Sequence, residues 1–174
     1  MAKINSSAKG KTAERELCKL LGEAFDGSFI RSANSGAFIG GSNAFRKETL
    51  SEGQIRGVKG DIIPPDFMPN FAIESKHYKD FAYHQLLVGP VPMLDAWVDQ
   101  HHEVLDENDF WLVAFKTNRK PWIAVIEARF ADELISTNKL FYTTASGIKC
   151  VVCSLDDFLK HNRALVLRET AAKE

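Results

Sequence analysis

Two acidic residues and a lysine on neighbouring predicted strands form the pattern in this sequence that is best suited to chemistry. Asp61 opens one short strand, and Glu74 and Lys76 lie on the next, with twelve residues between the two acids. Strand alternation places Glu74 and Lys76 on one face. Mg²⁺ is commonly held by one or two carboxylates together with substrate phosphate, and a nearby lysine can position a water. The pattern indicates either a magnesium site that acts on phosphate or an exposed cross-strand ion pair.

A third acid, Glu14, occupies an unusual place on a predicted helix. Apolar residues recur at helical spacing between residues 10 and 25, and on a helical wheel Glu14 falls inside their arc. A charged carboxylate there is costly unless a cation or hydrogen bonds compensate it. Glu14 could therefore serve the same metal site, or it could favour the helix dipole and reach water. Glu16 falls on the opposite, polar arc.

The residues around these acids follow a recognisable order. The segments in chain order are Lys9-Gly10-Lys11-Thr12-Ala13-Glu14-Arg15-Glu16-Leu17, Phe29-Ile30-Arg31-Ser32-Ala33, Gly60-Asp61 and Glu74-Ser75-Lys76. This order resembles the archaeal-type Holliday-junction resolvases of the restriction-endonuclease-like PD-(D/E)xK nuclease superfamily. The resemblance spans residues 9–126. The segment between Arg31 and Asp61 is longer than is usual in that family, and residues 127–174 have no obvious counterpart.

The resemblance implies an α/β fold with a restriction-endonuclease-like core, in which helices flank a central mixed β-sheet. It implies a catalytic set of four residues, which are Glu14, Asp61, Glu74 and Lys76. It also implies that the three acids of this set, with the Ser75 carbonyl, are the ligands of Mg²⁺ or of a substituting Mn²⁺. It also implies phosphate or junction contacts by Arg15 and Arg31. We extend the predicted DNA-binding set to Ser32 and to the cations of the helix start and the following loop, which are Lys9, Lys11, Arg46, Lys47, Arg56 and Lys59.

These features together predict an Mg²⁺-dependent, structure-selective DNA endonuclease. We expect it to resolve four-way junctions in branched DNA by paired phosphodiester hydrolysis, and to act as a homodimer because two matched nicks need two identical sites. A restriction-like, nicking or mismatch nuclease of the same fold is one alternative. A catalytically silent DNA-binding protein is another, although binding alone does not need three clustered carboxylates near a phosphate.

Composition and charge are consistent with this interpretation. The chain has 174 residues, of which 45% are hydrophobic and 26% charged, which predicts a single domain over residues 1–174; the resemblance implies that it is a nuclease domain. That domain would have a family-like core over residues 9–126 and a C-terminal extension over residues 127–174. No apolar run approaches the roughly 20 residues of a membrane span, and no secretory signal is apparent. We therefore expect a cytoplasmic, DNA-associated protein that does not associate with a membrane.

The charge is unevenly distributed along the chain. Residues 1–60 carry 10 Lys and Arg against 6 Asp and Glu, whereas residues 61–115 carry 2 against 10. The remainder, residues 116–174, carries 10 against 7. Basic flanks around an acidic middle suit an anionic ligand held beside metal-binding carboxylates.

The predicted elements that position these residues begin with the helix over residues 10–25. The strands are predicted at 28–31, 61–63, 71–76, 110–116, 121–126, 140–144 and 148–153, and further helices at 81–88, 92–107 and 155–161. Residues 32–60 read as a long loop, which we expect to close over phosphates. The tail after Arg163 has no clear assignment. Cys150 and Cys153 should lie on opposite faces of their strand as buried, inert thiols.

Overall fold

A computed structural model describes residues 6–33 and 41–173, and these residues form a mixed sheet of seven strands flanked by helices. The strands are β1 Ile30–Arg31, β2 Ile62–Ile63, β3 Phe71–Tyr78, β4 Phe110–Thr117, β5 Ile123–Glu127, β6 Lys139–Thr143 and β7 Lys149–Ser154. The helices are α1 Ser6–Phe25, α2 Glu52–Arg56, α3 Gln85–Val88, α4 Pro92–His102, α5 Leu155–His161 and α6 Arg163–Thr170, with 3₁₀ helices at Gly41–Glu48 and Ala128–Phe130. This architecture confirms the predicted fold class.

The two central strands pair in parallel, from Phe71 opposite Phe110 to Tyr78 opposite Thr117. The other pairings among the described strands are antiparallel, and the strand order is β1-β2-β3-β4-β5-β7-β6. A parallel pair needs a crossover connection, and the chain makes it through α3 and α4. The ends of β3 and β4 therefore meet at one edge of the sheet.

The sheet separates two apolar cores. On one face α1 packs Leu17 and Leu21 against Ile73 of β3, and on the other face α4 packs Leu94 against Trp111 of β4. Each fully buried side chain of this size stabilises the fold by roughly 1.5–3 kcal/mol. Because strand side chains alternate, Ile73 belongs to the α1 face and its neighbour Glu74 to the α4 face.

The C-terminal segment completes both the sheet and the core. Strand β7 pairs with β5, and Phe158 and Val166 are buried in the core that α1 also enters. Cys150 and Cys153 enter different cores on opposite faces of β7. The prediction that both thiols are buried is confirmed. Burial raises the pKa of the Cys150 thiol to about 12 and that of Cys153 to about 11, which disfavours the reactive thiolate.

Several elements differ from the sequence-based expectations. Helix α1 begins at Ser6 rather than residue 10, and the helix predicted over 81–88 is limited to Gln85–Val88. The tail after the predicted helix forms α6, whose Leu165 and Val166 are buried.

The segment predicted as one long loop, residues 32–60, contains regular structure. It holds the 3₁₀ helix at Gly41–Glu48 and the short helix α2, and residues 34–40 lie outside the described part. A capping box starts α2: the Ser51 hydroxyl accepts from the backbone N of Gln54 at 3.3 Å, and the Gln54 side chain accepts from Ser51 N at 2.9 Å. Across the described residues, no helix is long and apolar enough to cross a membrane.

Candidate active site

Asp61 is positioned by the close approach of Gly60 to β3. A Cβ atom at Gly60 would lie 2.4 Å from the carbonyl oxygen of Ile73, so only glycine fits there. The backbone N of Asp61 donates to the same Ile73 oxygen at 3.0 Å. The backbone N of Ser75 donates to Asp61 Oδ2, also at 3.0 Å. These bonds fix the Asp61 carboxylate against β3, beside Glu74.

Glu74 and Lys76 lie on the sheet face that α4 covers. The Lys76 ammonium donates to Glu74 Oε1 at 2.7 Å and to the Gln100 side-chain oxygen at 3.3 Å. The second oxygen of Glu74 lies 4.0 Å from Nδ1 of His101, whose Nε2 is 3.4 Å from the Ala72 carbonyl oxygen. Glu74 is only 6% exposed, so the adjacent ammonium compensates the burial of its charge.

Glu14 lies on the sheet-facing side of α1, as the helical wheel predicts. Its carboxylate accepts a hydrogen bond from Nε of Arg31 on β1, and its side chain is 19% exposed. Arg31 is the compensating cation that a largely buried acid requires. The pair joins the first helix to the first strand beside Asp61, whose carboxyl senses the charge of Glu14.

The electrostatics of the site favour protonated groups. Burial and the negative charges of Glu74 and, to a lesser extent, Glu14 raise the pKa of Asp61 to about 7 against the opposing effects of Ser75 N–H and Lys76. Burial acts to lower the pKa of Lys76, but the charge and hydrogen bond of Glu74 outweigh it and raise that pKa. The surroundings of the Asp61 carboxyl therefore carry too little positive charge to favour its ionised form, whereas Lys76 stays an ammonium at neutral pH.

Asp61 and Glu74 fit a divalent cation as a pair of oxygen donors. Mg²⁺ commonly uses one or two carboxylates and keeps several waters. The raised pKa of Asp61 reflects a local excess of negative charge, which a divalent cation would relieve. No three His, Cys, Asp or Glu side chains within residues 6–33 and 41–173 are grouped closely enough to hold one ion. The ligand roles of Glu14 and the Ser75 carbonyl stay predictions.

Several residues predicted to contact DNA are engaged within the protein. The Lys59 ammonium lies 2.7 Å from both the Asp106 and the Asp109 carboxylates, and Arg56 lies 2.9 Å from Asp66. Ser32 is buried and donates its hydroxyl to the carbonyl oxygen of Gly57 at 2.7 Å. Arg31 is the partner of Glu14.

The remaining predicted DNA contacts lie on α1 and on the 3₁₀ helix. Lys11 and Arg15 are exposed on α1, and Lys9 is half-buried. The Arg46 guanidinium lies 5.8 Å from the ring centroid of Phe45. The side chain of Lys47 is outside the described part of the structure. All nine DNA contacts remain predictions.

Two residues near Glu74 and Lys76 escape sequence reasoning. His101 is 1% exposed and follows Trp97 and Val98 on the buried face of α4. A histidine among apolar residues at helical spacing is the signal that could have found it. Burial lowers the pKa of His101 and outweighs the opposing charge of Glu74. Gln100 carries no comparable signal.

The mixed sheet flanked by helices matches the restriction-endonuclease-like fold of the PD-(D/E)xK nucleases, and it carries Asp61 beside β2 and Glu74 and Lys76 on β3. A family model described as "Phage putative PDDEXK endonuclease" matches residues 5–168, and the chain belongs to that family. No curated protein and no solved structure matches the chain significantly. The protein is therefore a nuclease of a class that generally uses divalent metal ions.

Proposed function

We propose that the protein is an Mg²⁺-dependent, structure-selective DNA endonuclease. The arrangement of Asp61, Glu74 and Lys76 on adjoining strands carries this proposal. It combines two hard oxygen donors, an excess of negative charge at Asp61 and an ammonium held 2.7 Å from Glu74. A cation site of this kind, with a hydrogen-bond donor close to it, supplies the charge stabilisation that metal-assisted hydrolysis of a phosphodiester uses.

Each residue has a definite task in that reaction. Asp61 and Glu74 would hold the divalent ion, which, when bound, lowers the pKa of a water and neutralises charge on the phosphate. Lys76 remains protonated, so its ammonium donates a hydrogen bond to the attacking water or to a phosphate oxygen rather than accepting a proton. Glu74 and Gln100 orient that ammonium. Arg31 holds Glu14 near Asp61.

We further propose that four-way junctions are the preferred substrate and that the active form is a homodimer. The order of motifs from Lys9 to Lys76, with its resemblance to junction resolvases, supports this choice of substrate. Resolution of a four-way junction requires two matched nicks on opposing strands. A two-fold pair of identical chains is the simplest assembly that supplies two such sites.

The test is cleavage of labelled linear, branched and four-way DNA by the purified protein, with Mg²⁺, with Mn²⁺ and with EDTA. We expect paired nicks on the four-way junction, slower cleavage of linear duplex and no cleavage in EDTA or by Asp61→Asn. Solution mass should be that of a dimer. A monomer that cuts linear duplex as readily as the junction would support a restriction-like or nicking nuclease instead. Absence of cleavage with both metals would support a silent DNA-binding protein.

A further inference from the structure

An open groove of about 570 Å³ lies where the ends of β3 and β4 meet the first turns of α1. It is lined by Lys9, His77, Lys79, Lys116, Asn118 and Arg119. No acidic residue of the described chain contributes to this lining, which makes the groove a concentrated positive surface. Such a surface attracts an anion and raises its local concentration.

Three of its cations have no anionic partner within the described structure. Lys9, Lys79 and Arg119 form no ion pair or side-chain hydrogen bond with any residue in the ranges 6–33 and 41–173. The fourth, Lys116, lies 2.6 Å from the Glu16 carboxylate and 5.2 Å from the Trp122 ring centroid. Three uncompensated positive charges around one groove repel one another, and an anionic ligand relieves that repulsion.

His77 supplies an independent indication of a ligand. Both nitrogens of its imidazole ring are buried, and neither has a hydrogen-bond partner among the described residues. At least one of them carries a proton in either neutral tautomer. A buried donor without a partner costs free energy, which a rotation of the ring towards an acceptor in the groove would recover. A phosphate oxygen is such an acceptor.

The turn between β4 and β5 holds Arg119 at the groove in a strained conformation. Its φ angle is 61°, one of two positive values found for non-glycine residues of the described chain. The turn is closed by a hydrogen bond from the backbone N of Lys120 to the carbonyl oxygen of Thr117 at 3.1 Å. Left-handed backbone at a long side chain is uncommon, and such strain concentrates at functional sites.

Two residues that line the groove are close in sequence to candidate catalytic residues. His77 directly follows Lys76 on β3 and pairs in register with Lys116 of β4, but its side chain lies on the α1 face, opposite to that of Glu74 and Lys76. On α1, Lys9 precedes Gly10, where an added Cβ would lie 4.0 Å from a carboxylate oxygen of Glu14. A polyanion seated in the groove therefore lies on the α1 face of the sheet, at the end of the strand that also carries Glu74 and Lys76.

From these contacts we infer that the groove binds a segment of the DNA backbone that flanks the active site, on the α1 face of the sheet. Lys9, Lys79 and Arg119 pair with successive phosphates, and the His77 ring donates to a phosphate oxygen. The inference rests on the proposed function and extends it by giving the DNA a path across the ends of β3 and β4. Phosphate contacts of this kind position the duplex without reading its sequence.

The test measures binding of fluorescein-labelled duplex and four-way DNA by anisotropy, in EDTA, over a series of salt concentrations. The double variant Lys79→Ala/Arg119→Gly should bind more weakly and should flatten the dependence of log K on log salt by about two units. Lys120→Ala is the matched control, because Lys120 lies in the same turn but does not line the groove. It should leave the slope unchanged. An unchanged slope in the double variant overturns the inference.

Two further variants separate binding from folding. Arg119→Gly removes the charge and suits the left-handed backbone, so its melting temperature should not fall while DNA binding weakens. His77→Phe should weaken binding about tenfold, and His77→Gln, which keeps a donor, should restore most of it. Equal losses in Phe and Gln variants, or a loss explained by a lower melting temperature, would overturn the role of His77.

The same experiment distinguishes this inference from the proposed function. If the groove variants keep the wild-type slope while the wild-type protein cleaves DNA with Mg²⁺, the groove assignment fails and the nuclease stands. If the wild type cleaves no DNA with Mg²⁺ or Mn²⁺ but the groove variants flatten the slope, the groove stands and the nuclease proposal fails.

Discussion

Two basic regions flank the candidate active site, and they differ in how their charges are used. The region between β1 and β2 carries Arg56 and Lys59, which form ion pairs of 2.7–2.9 Å with acids of the same chain. The groove at the ends of β3 and β4 carries Lys79 and Arg119, which have no such partners in the described ranges. A cation that is already paired has little to gain from a phosphate, whereas an unpaired one has much.

The comparison shows why a count of lysines and arginines is a poor guide to a DNA surface. Residues 1–60 hold an excess of basic residues and residues 61–115 an excess of acidic ones. Folding brings the two sets together: Lys59 meets Asp109 although fifty residues separate them. Which lysines and arginines remain available to a ligand depends on these long-range ion pairs. The groove instead combines residues from α1, β3 and the turn after β4.

The largest effect is expected at the acids that lie between these regions. Asp61→Asn or Glu74→Gln should lower cleavage at least about a hundredfold, because each removes a carboxylate that would hold the metal ion. DNA binding should be unchanged or tighter, since a negative charge is lost. Cleavage rate and anisotropy on the same preparations give both quantities. Undiminished turnover by either variant would contradict the metal-site assignment.

Glu14 and Glu16 provide an internal control on one helix. Glu14→Gln should lower cleavage about tenfold or more, since it removes the charge held by Arg31 beside Asp61. Glu16→Gln should keep most of the activity. It weakens the ion pair to Lys116, so a groove cation becomes available and DNA binding should be equal or tighter.

The contradictory result is a ranking in which Glu16→Gln loses more activity than Glu14→Gln. That ranking would show that the face of α1 that carries Glu14 is not the face that serves the active site. Because Glu16 also accepts from the Trp122 indole at 2.9 Å, melting temperatures of both variants are the necessary control for altered packing.

Local pattern was sufficient to predict the strands that define the class of fold and the sides of their elements on which the candidate acids lie. Alternation in β3 placed Glu74 and Lys76 together, and the helical wheel placed Glu14 on the buried side of α1, where Arg31 meets it. Both inferences depend on the period of a single element, which sequence records directly.

Features that depend on distant partners could not be predicted in this way. His101 and Gln100 reach β3 only because α4 crosses the sheet face beside Glu74 and Lys76. Helix α6 is stabilised by burial of Leu165 and Val166 rather than by a strong pattern of its own. The pairing of Lys59 with Asp109 likewise follows from tertiary structure.

The stability of the metal-free protein should depend on pH through Asp61. Its pKa is raised from 3.8 to about 7 in the fold, so the folded state binds the proton more tightly than the unfolded chain. The cost of the ionised carboxylate therefore appears as pH rises above 3.8 and is complete above about 7. Asp61→Asn should raise the free energy of unfolding by about 2 kcal/mol at pH 8. This value is smaller than the full pKa difference implies, because Asp61 is not fully buried.

Denaturant unfolding in EDTA at pH 5 and pH 8 measures this difference. The stabilisation by Asp61→Asn should shrink towards pH 5, where the wild-type carboxyl is protonated in the folded state. Equal stabilities of variant and wild type at pH 8 would show that burial and the neighbouring acids impose no cost on Asp61. Saturating Mg²⁺ should stabilise the wild type more than the variant if Asp61 helps hold the ion.

The comparison of the two basic regions is tested most directly by Lys59→Ala and Lys79→Ala. Lys59 is 13% exposed and faces Asp109, which is 3% exposed, so its removal leaves a buried carboxylate without that ammonium. We expect Lys59→Ala to lower the free energy of unfolding by about 1 kcal/mol or more and to leave the salt slope of DNA binding nearly unchanged. Lys79→Ala should do the reverse, with unchanged stability and a slope flattened by about one unit. The sequence-based prediction that Lys59 contacts a phosphate instead requires Lys59→Ala to flatten the slope by about one unit.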